Sequence, residues 1–153
     1  EYAFYNNHKN MNNNDLQLWK INQAIPSLDN EINGKNNPLE LGLADLIDFN
    51  KGCYLGQETM SKIRNVSSLK QEIRVWTAKD SLFNLEFDNK TIYNNYKKEK
   101  SVGYITSIYK LGSQKIKGLA MIKRKYLETG NTFYTDNYCQ ISIDKSIGST
   151  FFK

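Results

Sequence analysis

The chain has 153 residues, with 39% apolar, 12% aromatic and 24% charged side chains and a formal net charge of +5. No apolar run approaches the ~18 residues needed to span a bilayer, and no signal-peptide pattern is present, so no membrane association is expected. The two cysteines, Cys53 and Cys139, form no CxxC pair, and the single histidine, His8, stands among asparagines, so zinc ligand sets are missing from the sequence. This cysteine usage fits a reducing, cytoplasmic compartment.

Residues 6–14, Asn-Asn-His-Lys-Asn-Met-Asn-Asn-Asn, carry nothing to bury and predict a loop or a disordered segment. Asp15 has the chemistry of a helix cap, ahead of an apolar face of Leu16 and Trp19 widened by Leu18 and Ile21, with Pro26 ending the helix. Ser27 to Asn36, with Gly34, is a polar connection. Asn37-Pro38 then reads as the N-cap and first residue of a second helix, with Leu39, Leu43 and Leu46 at helical spacing. A loop over residues 48–56 leads into a short helix from Gln57 to Arg64, with Met60 and Ile63 on one face.

From Leu69 the period changes from 3.6 to 2. Leu69, Ile73 and Val75 fall on one face of a strand, Lys70, Glu72 and Arg74 on the other, joined by Trp76. Further strands are predicted at Leu82–Phe87, Thr91–Tyr93, Ser101–Tyr109, Gln114–Lys123, Thr132–Thr135 and Tyr138–Ile143. Residues 110–113, Lys-Leu-Gly-Ser, make a hairpin loop, Asp136-Asn137 a two-residue turn tolerant of φ > 0, and Arg124 to Glu128 a helical turn. The fold class is therefore α+β, a mixed α/β segment followed by a small antiparallel β-barrel, with the boundary near Val66-Ser67-Ser68.

Residues 51–58, Lys-Gly-Cys-Tyr-Leu-Gly-Gln-Glu, stand out from this plan. Gly52 and Gly56 allow tight bends or φ > 0 around Cys53 and Tyr54. Cys53 precedes a helix N-terminus and follows Lys51 by two residues; both positive charges favour the thiolate, the reactive form. The same spacing also describes a helix-entry loop whose cysteine is a small buried apolar residue. No histidine lies nearby to act as a base, which argues against a cysteine–histidine hydrolase.

The octapeptide resembles the KGCYxGQE motif of the YgfZ family, folate-binding relatives of the glycine cleavage T-protein that support iron–sulfur proteins. Lys51, Gly52, Cys53, Tyr54, Gly56, Gln57 and Glu58 match all its fixed positions. Upstream, Trp19-Lys20-Ile21 with Ala24-Ile25-Pro26 is similar to the family's "LRIEAGIP" segment, and residues 37–43, Asn-Pro-Leu-Glu-Leu-Gly-Leu, to its Pro-containing approach to the motif. Downstream, residues 102–107, Val-Gly-Tyr-Ile-Thr-Ser, and 119–122, Leu-Ala-Met-Ile, resemble the "VGxVTS" and "LAxI" strands of its terminal barrel.

The resemblance implies that the chain corresponds to the C-terminal half of a longer protein. Residues 1–67 would be the remainder of the folate-binding domain and residues 68–153 the barrel, with much of the folate pocket upstream. It implies tetrahydrofolate as cofactor, iron–sulfur client or assembly proteins as partners, and a monomer. It also places Cys53 at the folate cavity as the residue on which activity turns. Gln57, with a donor and an acceptor, suits a pterin-like ring or a loop carbonyl equally, and Glu58 a helix cap or a ligand amine. These two are the candidate cofactor contacts, while Tyr54 is expected to pack beneath the loop.

The function implied is that of an accessory protein for assembly or repair of iron–sulfur enzymes, including radical enzymes that modify tRNA. An aminomethyltransferase of the T-protein kind is the alternative, but T-proteins share the folds without KGCYxGQE. A third possibility is a unit that only packs or binds a partner. The Lys and Arg residues, clustered at Lys97-Lys98 and Lys123-Arg124-Lys125, read as a solvated basic surface rather than a nucleic-acid interface. A polyglutamyl folate tail or a transient RNA contact would use the same charges.

Overall fold

The computed structural model describes residues 11–63, 69–79, 90–112, 115–127 and 132–144. Helix α1 spans Asn13–Asn22, α2 Gln57–Ile63, and six strands follow: β1 Gln71–Lys79, β2 Thr91–Tyr93, β3 Ser101–Leu111, β4 Lys115–Lys123, β5 Thr132–Thr135 and β6 Gln140–Ile143. All pairings are antiparallel, and the order β1-β4-β3-β2-β5-β6 closes on itself as a barrel. The sequence-predicted α+β class and barrel are thus present. The strand expected at residues 82–87 and the boundary at residues 66–68 lie outside the described residues.

β1 explains how the sheet is buried on two sides. Its even-numbered face, with Trp76, joins Ile92, Val102, Ile105, Ile116, Ala120, Ile122, Phe133, Cys139 and Ile141 in the barrel interior. Its odd-numbered face, Ile73 and Val75, packs outside the barrel against Ile21, Ala24 and Leu41, together with Leu119 and Met121 of β4. The alternation read from the sequence therefore separates two cores, and both are apolar. Glu72 and Arg74 lie on the interior face and are buried; Glu72 is held by Arg74 at 2.5 Å and by the Arg124 Nε at 2.7 Å. Pairing both carboxylate oxygens offsets the desolvation that makes lone buried charges unstable.

Close backbone approach fixes the β3–β4 ladder. A Cβ on Gly118 would lie 1.9 Å from the Ser107 carbonyl oxygen, and one on Gly103 2.1 Å from that of Met121. The register shifts between Ile105 and Ser107, so Thr106 is the extra residue of a bulge. Ahead of β6, β1 borrows a partner from the first segment: the Ile73 N–H donates to the Glu40 carbonyl at 2.8 Å.

Four local expectations are corrected. Asn12, not Asp15, caps α1: its side chain accepts from the Asp15 N–H at 2.8 Å, while Asp15 sits in the first turn, where its charge favours the helix dipole. Asn13 and Asn14, read as part of a polar loop, are helical. α1 ends before Pro26, through left-handed Ala24 (φ 50), with Ala24 N–H to the Ile21 carbonyl and Ile25 N–H to the Lys20 carbonyl. The expected apolar face of Leu16 and Trp19 is exposed, Trp19 at 46%, and Ile21 is the buried residue of the helix.

The second predicted helix is a single turn. Asn37 caps it as expected, accepting from the Leu39 and Glu40 N–H groups while its own N–H donates to the Glu40 carboxylate. Gly42 at φ 73 then stops it, and a 3-10 turn at Ala44–Leu46 follows. The β5–β6 turn likewise differs. Tyr138, not Asp136 or Asn137, takes the left-handed conformation (φ 60), giving a three-residue loop bonded by Tyr138 N–H to the Thr135 carbonyl.

Candidate functional site

The loop that follows the 3-10 turn is held by local hydrogen bonds to backbone N–H groups. Asp48 accepts from the Asn50 N–H at 2.8 Å, and the Gln57 N–H reaches the Tyr54 carbonyl at 3.2 Å. Gly56, at φ 88, turns the chain into α2, and its carbonyl accepts from Met60 N–H at 3.0 Å. That φ gives Gly56 a backbone reason to be glycine. Gly52 has none: its φ is not left-handed, and an added Cβ would meet open space.

The side chains of this loop contribute little to packing. Cys53 is an exposed free thiol, and Leu55 beside it is fully exposed. Tyr54 is half-buried, and the Lys51 ammonium sits 4.8 Å from its ring centroid. An exposed cation–π contact of this kind is worth about 0.5–1 kcal/mol. Glu58 neither caps the helix nor stands free: its carboxylate bonds Lys62 one turn on, at 2.6 Å, both side chains being solvent-exposed. Gln57 is half-buried. Residues 53–59 and Ser61 line one broad surface hollow, which brings Cys53, Tyr54, Gln57 and Glu58 to a common wall and leaves Lys51 outside it.

Helix α2 has seven residues and starts four positions after Cys53, so its dipole acts on the thiol only weakly. Lys51, the other expected source of positive charge, lies over Tyr54. Cys139 is the opposite case. It is 1% exposed in the barrel core, its N–H donates to the Thr135 hydroxyl at 3.2 Å, and burial pushes its thiol above the ordinary range. Among the described residues, no group of three or more His, Cys, Asp or Glu side chains is placed to hold a metal. Leu55, Thr59 and Ser61 also line the hollow and are not among the sequence-expected site residues; for Leu55, an apolar residue between Tyr54 and Gly56, both tied to the turn, was the available signal.

No family model matches the chain. Two curated relatives do. The tRNA-modifying protein YgfZ of Buchnera aphidicola subsp. Baizongia pistaciae is 31% identical over 126 residues, covering 79% of this chain and 39% of that protein. The chain belongs to the YgfZ family. A chloroplastic protein of Arabidopsis thaliana, provisionally named a transferase, is similar to this YgfZ-family chain at 33% identity over 115 residues, 74% of the chain and 25% of the relative. The chain therefore spans 39% and 25% of the length of these relatives. No helix among the described residues is long and apolar enough to cross a membrane.

Proposed function

We propose that this chain is part of a tetrahydrofolate-binding accessory protein of the YgfZ kind, which supports assembly or repair of iron–sulfur enzymes. Residues 1–67 belong to its folate-binding unit and residues 68–153 to its barrel. Cys53 is the functional residue, and Gln57 and Glu58 contact the folate or the loop that covers it. One observation carries the reading. Cys53 and Glu58 match fixed positions of the motif, yet the fold does not need them: Cys53 is exposed, and Glu58 makes only a surface ion pair. Side chains that do no packing work are explained by what they bind. The relative's name, a tRNA-modifying protein, fits clients among the radical enzymes that modify tRNA.

The test is complementation by the full-length protein in a strain that lacks it. Cys53→Ala is expected to leave the unfolding temperature unchanged and to fail to restore iron–sulfur enzyme activity. Full restoration would overturn the role of Cys53. Calorimetry with tetrahydrofolate is the companion measurement: the full-length protein is expected to bind, and this chain alone only weakly. Absence of binding to the full-length protein would overturn the folate reading.

A further inference from the structure

We infer that the barrel carries, at the end formed by the β5–β6 turn and residues 93–100, a stacking platform for single-stranded nucleic acid. Tyr96 and Tyr138 are 60% and 50% exposed, with ring centroids 4.7 Å apart and planes tilted by 41°. Tyr134 braces Tyr96 edge-on at 5.8 Å. The Lys98 ammonium lies 3.8 Å from the Tyr138 ring centroid and donates to the Asp136 carbonyl, so it is held in place rather than waving in solvent.

Two features separate this cluster from ordinary surface tyrosines. Lys98 (φ 57) and Tyr138 (φ 60) are both left-handed non-glycine residues, and they contact each other. Such conformations cost about 1–3 kcal/mol each and persist only where the surrounding structure fixes them, here the β5–β6 turn and the Lys98–Tyr138 contact. The lysines outnumber the acids. Lys97 and Lys100 are exposed beside Lys98, against two carboxylates: Asp136, which accepts from the Thr91 N–H and the Tyr93 hydroxyl, and exposed Glu99, which accepts from the Asn95 amide. Anchored aromatic faces ringed by lysine are what a base and its flanking phosphates require, without any base-edge readout. The tyrosines come from separate segments, so their convergence is invisible in the sequence, where Lys97-Lys98 reads as a solvated charge pair. The inference is independent of the folate reading.

The experiment is fluorescence anisotropy with a labelled ten-nucleotide RNA of mixed sequence, competed by polyphosphate. Saturable binding is expected, with Tyr96→Ala weakening it by roughly 5-fold or more and Tyr96→Phe keeping it. Lys97→Ala is expected to reduce the slope of log K against log salt by about 0.7. Since Lys97 is exposed, that variant tests the proposal even if Tyr96→Ala fails to fold. No RNA binding, equal affinity of wild type and folded Tyr96→Ala, or displacement by polyphosphate at equal charge concentration would each overturn it.

Discussion

The barrel and the Cys53 loop spend their residues in opposite ways. In the barrel, Trp76, Ile105, Ile116 and Ile141 are buried from every side, and strand pairing runs round a closed ring. The loop, by contrast, is held by a few backbone bonds and one left-handed glycine, and its most distinctive side chains face out. Replacing a barrel residue should therefore act on stability, and replacing a loop residue on function. Scaffolds and sites part company in this manner when rigid elements carry a variable-looking loop.

The strongest attempt to break this contrast is Trp76→Ala. It removes a fully buried ring whose N–H donates to the Leu119 carbonyl at 3.2 Å, and a loss of about 3–5 kcal/mol is expected in urea unfolding. Gly118→Ala should follow closely. Its methyl would meet the Ser107 carbonyl at 1.9 Å, so the β3–β4 register has to open, at about 3 kcal/mol.

Alkaline pH sharpens the comparison from the same side. Burial raises the Cys139 thiol above 9.0, and the hydrogen bond to Asp136, then burial, raises the Tyr93 hydroxyl above 10.0. Both groups hold their protons more tightly folded than unfolded. Their contribution is complete below the unfolded values and is lost as pH rises through the raised ones. Melting temperature should begin to fall as pH rises past about 9 and fall further above about 10, and Cys139→Ala should flatten the first part of that fall. Cys139→Ala should also leave complementation intact if it folds.

In the loop, Gly56→Ala places a methyl at φ 88 and is expected to cost about 1–2 kcal/mol, read as the smallest clear shift in the unfolding midpoint. Cys53→Ser and Leu55→Ser should change stability by less than ~0.5 kcal/mol, while iodoacetamide labels Cys53 much faster than Cys139 in the folded chain. Slow labelling of Cys53 would erase the distinction between the two regions.

The sequence disclosed the barrel because Ile73 and Val75 alternate with Arg74 and Trp76, and a period of 2 survives any detail of closure. It could not show that the charged face of β1 points inward, since Glu72 becomes tolerable there only through Arg74 and through Arg124, distant along the chain. Helix ends were harder. Asn12 and Asp15 are both good caps, and the choice rests on where the backbone turns extended. Leu39, Leu43 and Leu46 keep helical spacing across a break that falls at left-handed Gly42. The candidate site was legible as a motif, whereas the exposure of Cys53 and the pairing of Glu58 with Lys62 depend on which way the turn at Gly56 sends the chain.

Ring closure has a consequence for how such a protein meets others. A sheet with a free edge recruits peptides, or copies of itself, by adding a strand, and the main-chain N–H and C=O groups do the recognising. Here β1 is bonded along its length to β4 and at residues 76–78 to β6. The Ile73 N–H goes to the Glu40 carbonyl and the Val75 carbonyl takes the Asp144 N–H, so much of that row of groups is spent internally. Recognition is left to side chains on faces and loops, where one substitution alters affinity without disturbing the sheet beneath.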